Sequence, residues 1–396
     1  MEERKSHRLL RKRNEHEAHV SFSELLFDLI YVFAVTQLSH YLLHHLSFYG
    51  LLEMTILWFG VWLVWQHTTW VTNWFDPDTR PIRLLLFTIM VIGLFMTSAL
   101  PEAFGDRGIV FAICYVTMQV GRTLVIIFLL GNKHHLSANF KRILGWMCIS
   151  GIFWIWGAFA EGNIRLLLWA IAVFTDYTSP MFGFYLPGLG RSDSSKEWTI
   201  EGHHLVERCQ LFVIIAFGET ILMTGDSLSE FEVWDKEKII SALVSFIASL
   251  VMWWIYFDVS SEAASRKIMK TENPGLLGLK YHAIHVVLVG AIIICAVGDE
   301  LVVSHPSGTA NSMALFVLVF GPILYLGANM IYKWITCHMI SRSHIIAIIA
   351  LTALVPFSFF ITMLVLNILT TLILILVAIS ETIVSGKAKE QVIQQG

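Results

Sequence analysis

The chain has 396 residues, 56% of them hydrophobic and only 14% charged, with a mean hydropathy of +0.67 and a formal net charge of -3. Soluble domains carry about 25% charged residues, so the composition argues against a soluble enzyme or a disordered chain, and no basic block beyond the first residues supplies a nucleic-acid footprint. It predicts an all-α, polytopic helical membrane protein whose first partner is the lipid bilayer.

The chain opens on a basic stretch, Arg4, Lys5, Arg8, Arg11, Lys12 and Arg13. It leads into an apolar segment interrupted by Glu24 and Asp28 with no small-residue cleavage site, so it reads as a topology anchor rather than a removed signal. Apolar runs then recur at about 22–46, 51–72, 82–100, 108–130, 142–160, 164–186, 203–225, 237–258, 280–299, 312–332, 345–362 and 363–384, predicting about 12 transmembrane helices. Between the last two, Pro356 reads either as a kink or as a break. The predicted layout is a basic cytoplasmic tail (1–21), a first transmembrane half (22–186), a cytoplasmic linker (187–202), a second half (203–386) and a short cytoplasmic tail (387–396).

Most of the 27 Lys and Arg fall on alternate segments of this layout. Arg107, Arg165, Lys236 and Lys238 lie on the opposite side, and Arg122 and Arg208 lie inside runs. The positive-inside rule then puts both termini in the cytoplasm. An internal echo points to two parallel six-helix repeats. The second run ends on Trp62 and Trp65 and the eighth on Trp253 and Trp254; the third closes on Pro101-Glu102 and the ninth on Asp299-Glu300; the first and seventh open on His19 with Glu24 and His204 with Glu207.

Ionisable groups at mid-bilayer cost about 2.5 to 3.5 kcal/mol each, so those inside the runs need a partner, a wet cavity or a role. Glu24 and Asp28, four apart, share a helix face; they read either as a proton or cation site or as structural partners of an arginine. His67 follows in the second run. Arg122 and Asp176 lie well inside the fourth and sixth. The seventh carries Glu207, Arg208 and, eleven residues beyond, Glu219. The economical expectation pairs Arg122 with Glu219 or Asp176, leaving one acid to titrate. His282 and His285 share a face of the ninth run, as proton relay, interhelical hydrogen bonds or, on weak spacing alone, metal ligands. No metal site is assigned. The cysteines Cys114, Cys148, Cys209, Cys295 and Cys337 show no disulfide or zinc spacing. Trp65, Trp70 and Trp74 fit an interface belt or packing.

Two segments resemble the signature segments of the bacterial low temperature requirement A proteins. They are the Val20-Ser-Phe-Ser-Glu24 to Ala34 stretch, with Phe27 and Asp28, and His204-Leu-Val-Glu207-Arg208 to Gly218-Glu219-Thr220-Ile221. The stretch from Leu168-Trp169 to Asp176 and Pro180 is similar to that family as well. Cys209 and Gln210 depart from it, where an aromatic and a small residue are expected. The resemblance implies a polytopic inner-membrane protein linked by name to growth in the cold. It brings no settled activity, substrate or catalytic residues.

The leading functional expectation is a proton-coupled secondary transporter of a small solute or ion, in a bacterial plasma membrane. Glu219 would titrate, Arg122 would be its counter-charge or an anion ligand, Asp176 a partner, and Glu24 with Asp28 the cytoplasmic mouth. The alternative is a membrane-embedded enzyme acting on a lipid or isoprenoid by acid/base chemistry. No nucleotide loop and no G-x-S-x-G nucleophile motif is present, so neither ATP-driven transport nor a cofactor is expected.

Overall fold

A computed structural model of the chain describes residues 9–11, 19–229, 233–258, 267–268 and 270–395, with side chains to residue 384. Of the basic opening stretch only Arg11 lies within the described residues; Arg4, Lys5, Arg8, Lys12 and Arg13 lie outside them. The described residues are helical, with no strand among them. In order they form α1 (Phe22–His44), α2 (Phe48–Trp74), α3 (Arg80–Ala99), α4 (Gly108–Leu130), α5 (His135–Phe159) and α6 (Gly162–Thr178). Then come α7 (Gly202–Ser229), α8 (Lys236–Phe257), α9 (Pro274–Ser304), α10 (Ser312–Cys337), α11 (Arg342–Leu354) and α12 (Met363–Gln395).

Ten of these helices are long and apolar enough to cross a bilayer. The two others, at the sixth and eleventh expected runs, are shorter: 17 residues in α6 and 13 in α11. Local chemistry sets the boundaries. Ser21 caps α1 through a capping box, its side chain accepting from the Glu24 N–H while the Glu24 carboxylate accepts from the Ser21 N–H. Asn311 caps α10 by accepting from the N–H groups of Met313 and Ala314. A wide π-type turn over Phe316–Phe320 precedes Pro322, whose missing N–H interrupts the regular ladder. Pro356 breaks rather than kinks: α11 stops at Leu354, a 3-10 turn covers Ser358–Phe360, and Ile361 is extended before α12. Cys337 is the last residue of α10.

Packing groups the described residues into two units. One takes in those within Met1–His45, Tyr49–Gln210 and Ser265–His282, the other those within Leu46–Phe48, Leu211–Ala264 and Ala283–Gly396. In the first, α3 packs on α1 and α4, α4 on α5, and α5 on α6. Gly157 allows the last contact, since a Cβ there would lie 2.4 Å from the Trp169 ring. Arg165 completes it by donating to the carbonyls of Ala160 and Gly157 at the end of α5 and to those of Ala103 and Gly105. In the second unit α12 packs on α8 and α11, and α11 on α10.

The tryptophans of α2 belong to the core. Trp58, Trp62, Trp65, Trp70 and Trp74 are all buried, so the belt reading of Trp65, Trp70 and Trp74 gives way to packing, whereas Trp253 and Trp254 are exposed. α3 shows how the outer face differs. Leu84, Val91 and Phe95 are exposed on one side while Leu85, Ile89 and Met96 are buried on the other, so the helix is apolar all round. Helices of this kind are stable in hydrocarbon and not in water.

Candidate functional site

Two of the polar clusters buried in the first unit hold most of the expected site residues. The first is a ladder between α1 and the start of α7. Glu24 and Asp28 are one turn apart on α1, His204 and Arg208 one turn apart on α7, and the rungs join in the same order. His204 Nε2 is 2.7 Å from Glu24 Oε1, and Arg208 Nη2 is 2.8 Å from Asp28 Oδ1. Matching order makes the two helices parallel. All four side chains are buried.

The hydrogen bonds fix the histidine's tautomer. The Asn73 amide is oriented by its reciprocal bonds to the backbone of Glu201, Nδ2 donating to the carbonyl and Oδ1 accepting from the N–H, both at 2.9 Å. Its Nδ2 therefore donates to His204 Nδ1 at 3.0 Å, which leaves the His204 proton on Nε2, facing Glu24. The full positive charge at that rung comes from Arg11, 3.3 Å from Glu24 Oε2 and anchored on the Thr72 carbonyl. Asp28 also accepts from the Trp65 indole at 2.8 Å. The Arg208 guanidinium lies over the rings of Phe27 and Trp65, 5.8 and 5.6 Å from their centroids. Each ladder acid thus lies beside an arginine, Glu24 beside Arg11 and Asp28 beside Arg208. Glu207, a turn from His203, sits at the edge: it accepts from the Val20 N–H at 3.0 Å and has the Nδ1 atoms of His19 and His203 both at 3.9 Å.

The second cluster surrounds a small cavity of about 40 Å³ lined by Gln66, His67, Trp70, Arg122, Met147 and Trp198, among others. Arg122 is not paired with Asp176. Its guanidinium donates to the Thr68 hydroxyl at 3.1 Å, the Val64 carbonyl at 3.4 Å and the Gln119 amide oxygen, all neutral acceptors. Gln119 and Tyr115 stand where a direct pair was expected. His67 Nδ1 lies 3.3 Å from Gln119 Oε1, Gln119 Nε2 donates to the Tyr115 hydroxyl at 3.3 Å, and that hydroxyl donates to Asp176 Oδ2 at 2.8 Å. Because the oxygen of Gln119 faces Arg122, every donor in this chain points toward Asp176, an alignment in which successive bonds polarise one another. The Trp154 indole also donates to Asp176. The cavity shares Pro180, Trp198 and Leu279 with a far larger open cleft of about 1200 Å³, whose wall carries Arg191, Ser192, Asp193 and Ser194. Hydrogen bonds from the Ser195 side chain and backbone hold the Asp193 carboxyl below its usual range.

His282, at the first unit's end of α9, lies against the rings of Trp65 and Trp70 and 3.9 Å from Cys209 Sγ. His285, three residues on, belongs to the second unit and bonds Tyr256 at 2.8 Å. The two therefore serve different surroundings rather than one shared pair. In the second unit Glu219 is buried at mid-α7. Lys333 is bonded to Glu381 at 2.7 Å, and Glu381 also accepts from Ser343. Asp299 is a buried acid that sequence reasoning left at the end of a run. α9 continues to Ser304, which puts Asp299 inside the helix, where it lines a cavity of about 20 Å³ with Cys295 and Asn367.

The family description "Bacterial low temperature requirement A protein (LtrA)" matches residues 19–379. The chain belongs to this LtrA family. It is also 37% identical over 375 residues, 94% of this chain and 91% of the relative, to a Rhizobium meliloti (strain 1021) protein named "Uncharacterized protein RA0937". No solved structure matches it. Membership and the apolar helices together make this LtrA protein an integral membrane protein of many helices. The two LtrA-like signature segments are the two sides of the ladder: one carries Glu24 and Asp28, the other His204 and Arg208.

Proposed function

We propose that this LtrA protein is a proton-coupled secondary transporter of a small anionic solute, in a bacterial plasma membrane with both termini cytoplasmic. The observation that carries the reading is Arg122: a buried guanidinium on a cavity wall whose hydrogen-bond partners among the described residues are all neutral groups. A buried cation without a counter-ion is expensive, and an anion arriving in the cavity relieves that cost. At about 40 Å³ the cavity holds little more than a water or two, so a solute enters only when the Trp70 and Trp198 walls part toward the open cleft. The directed chain from His67 to Asp176 supports coupling, since a proton on Asp176 changes the field at Gln119 and hence at Arg122. Glu219 is the titrating group proposed for the second unit, with Glu24 and Asp28 bordering the cytoplasmic side.

The topology proposed with it has twelve spans in two parallel six-helix halves, 22–186 and 203–386. Its support is the parallel pairing of α1 with the start of α7, because two parallel helices require an even number of crossings from one to the next and α1 through α6 provide six. On that count the short α6 is a crossing too.

The test is proton flux into proteoliposomes carrying an interior pH dye, driven by a panel of small inorganic and carboxylic anions. Flux driven by one class of anion and lost in Arg122→Gln and Asp176→Asn is the expected result. No flux with any anion, from protein shown to be folded, overturns the reading and directs attention to enzymatic turnover of lipids.

A further inference from the structure

We propose that His19, His203 and Glu207 form a binding site for a divalent transition metal, with zinc the best fit. One ligand atom from each, two imidazole nitrogens and a carboxylate oxygen, already lie within 4.8 Å of one another. Both histidine Nδ1 atoms stand 3.9 Å from Glu207 Oε2. Bonds of about 2.0 to 2.2 Å to a tetrahedral zinc put such ligand atoms about 3.4 Å apart, so rotamer adjustments of half an ångström to somewhat over one ångström close the site.

The backbone makes this convergence a built arrangement. His203 and Glu207 are separated by four residues on α7 and so project from the same face one turn apart. His19 comes from the non-helical residues just before the cap of α1, and its neighbour Val20 donates its N–H to Glu207 Oε2, which orients the carboxylate as an outer-shell bond does in metal sites. The carbonyl of His19 in turn accepts from Arg11. The His19 and His203 rings meet edge to face at 5.2 Å, close enough to share an ion and set apart from the ring stacking that would shield their nitrogens.

The donor set decides the metal. Two imidazoles with one carboxylate suit zinc, cobalt or nickel; magnesium and calcium take oxygen. Three protein ligands leave a fourth position for water or an exogenous group. His19 is 74% exposed, with His203 at 25% and Glu207 at 32%, so an ion loads from solvent. Once bound it ties the segment carrying the α1 cap to the first turns of α7, one residue from the His204 rung.

The experiment uses the full chain in detergent, purified on a tag without histidine and stripped with a chelator. It is titrated with Co²⁺ followed by visible absorption, and its Zn²⁺ content is measured after dialysis. One equivalent with the absorption of a low-coordinate Co²⁺ site is expected, along with a rise in melting temperature on adding Zn²⁺. Glu207→Gln and His203→Ala should each weaken binding by more than the roughly 10- to 100-fold that follows loss of an outer-shell partner. His19→Ala, altered outside any helix, provides the same reading should a helix variant fail to fold. Absence of an equivalent in the wild type, or binding unchanged in all three variants and so due to other histidines, overturns the site. Neither outcome depends on whether the protein transports an anion.

Discussion

The ladder and the cavity cluster of the first unit handle charge in opposite ways. In the ladder, Asp28 meets Arg208 and Glu24 meets Arg11 and the His204 N–H, so charge is cancelled on the spot. At the cavity wall Arg122, and one hydrogen-bonded chain away Asp176, each bond neutral groups among the described residues and are linked through Gln119 and Tyr115. A cancelled pair is a structural element, since removing one member strands the other. A charge held by neutral dipoles beside a cavity is available to a ligand. The contrast teaches that burial and charge by themselves do not mark a working group; what answers the charge does.

That contrast is broken most directly at the ladder. Arg208→Met leaves Asp28 buried with the Trp65 indole as its remaining donor among the described residues, and should lose about 3 to 5 kcal/mol of stability, read as a large drop in detergent melting temperature. Replacing both partners, Asp28→Leu with Arg208→Met, should recover most of it; an unchanged melting temperature in the single variant would erase the distinction between the clusters. At the cavity, Arg122→Gln should stay within about 1 to 2 kcal/mol of wild type, because the lost hydrogen bonds are offset by relief of an unpaired charge. The same variant should lose anion-driven flux altogether, and a melting loss as large as that of Arg208→Met would mean Arg122 is structural. Asp176→Asn keeps its acceptor for Tyr115 and should change stability by about 1 kcal/mol or less, in line with buried membrane hydrogen bonds. It sharpens the comparison by separating functions: anion exchange persists while proton movement stops. The smallest effect belongs to the partly exposed Arg142–Glu197 pair, where Glu197→Gln should cost at most about 1 kcal/mol by thermal melting.

Much of this was legible from single residues. Apolar runs separated by polar turns located the helices, because the bilayer imposes length and hydropathy on each one independently of its neighbours. Energetic cost singled out Glu24, Asp28, Arg122, Asp176 and Arg208 for the same reason. Partnership was not legible, because it depends on which helices touch. Arg122 was paired in expectation with a carboxylate, but its true neighbours are Thr68, Val64 and Gln119, ordinary residues that carry no charge signal. The ladder did leave a trace that spacing could have exposed, the identical four-residue step of Glu24 to Asp28 and of His204 to Arg208. Asp299 was missed through a boundary: ending the ninth run at that residue hid it from the cost argument. The His19, His203 and Glu207 grouping joins non-helical residues to a helix, and no periodicity reaches across the intervening chain.

The ladder also has a consequence for how the protein is made. Glu24 and His204 are separated by 180 residues, as are Asp28 and Arg208. At a synthesis rate of about 5 to 20 residues per second, α1 leaves the ribosome about 10 to 40 s before His204 and Arg208 exist. Throughout that interval Arg11 already stands ahead of Glu24 in the chain, whereas the base that answers Asp28 is still unwritten. Until then the Trp65 indole of α2 is the donor at hand for Asp28, and α7 brings the charge that answers it.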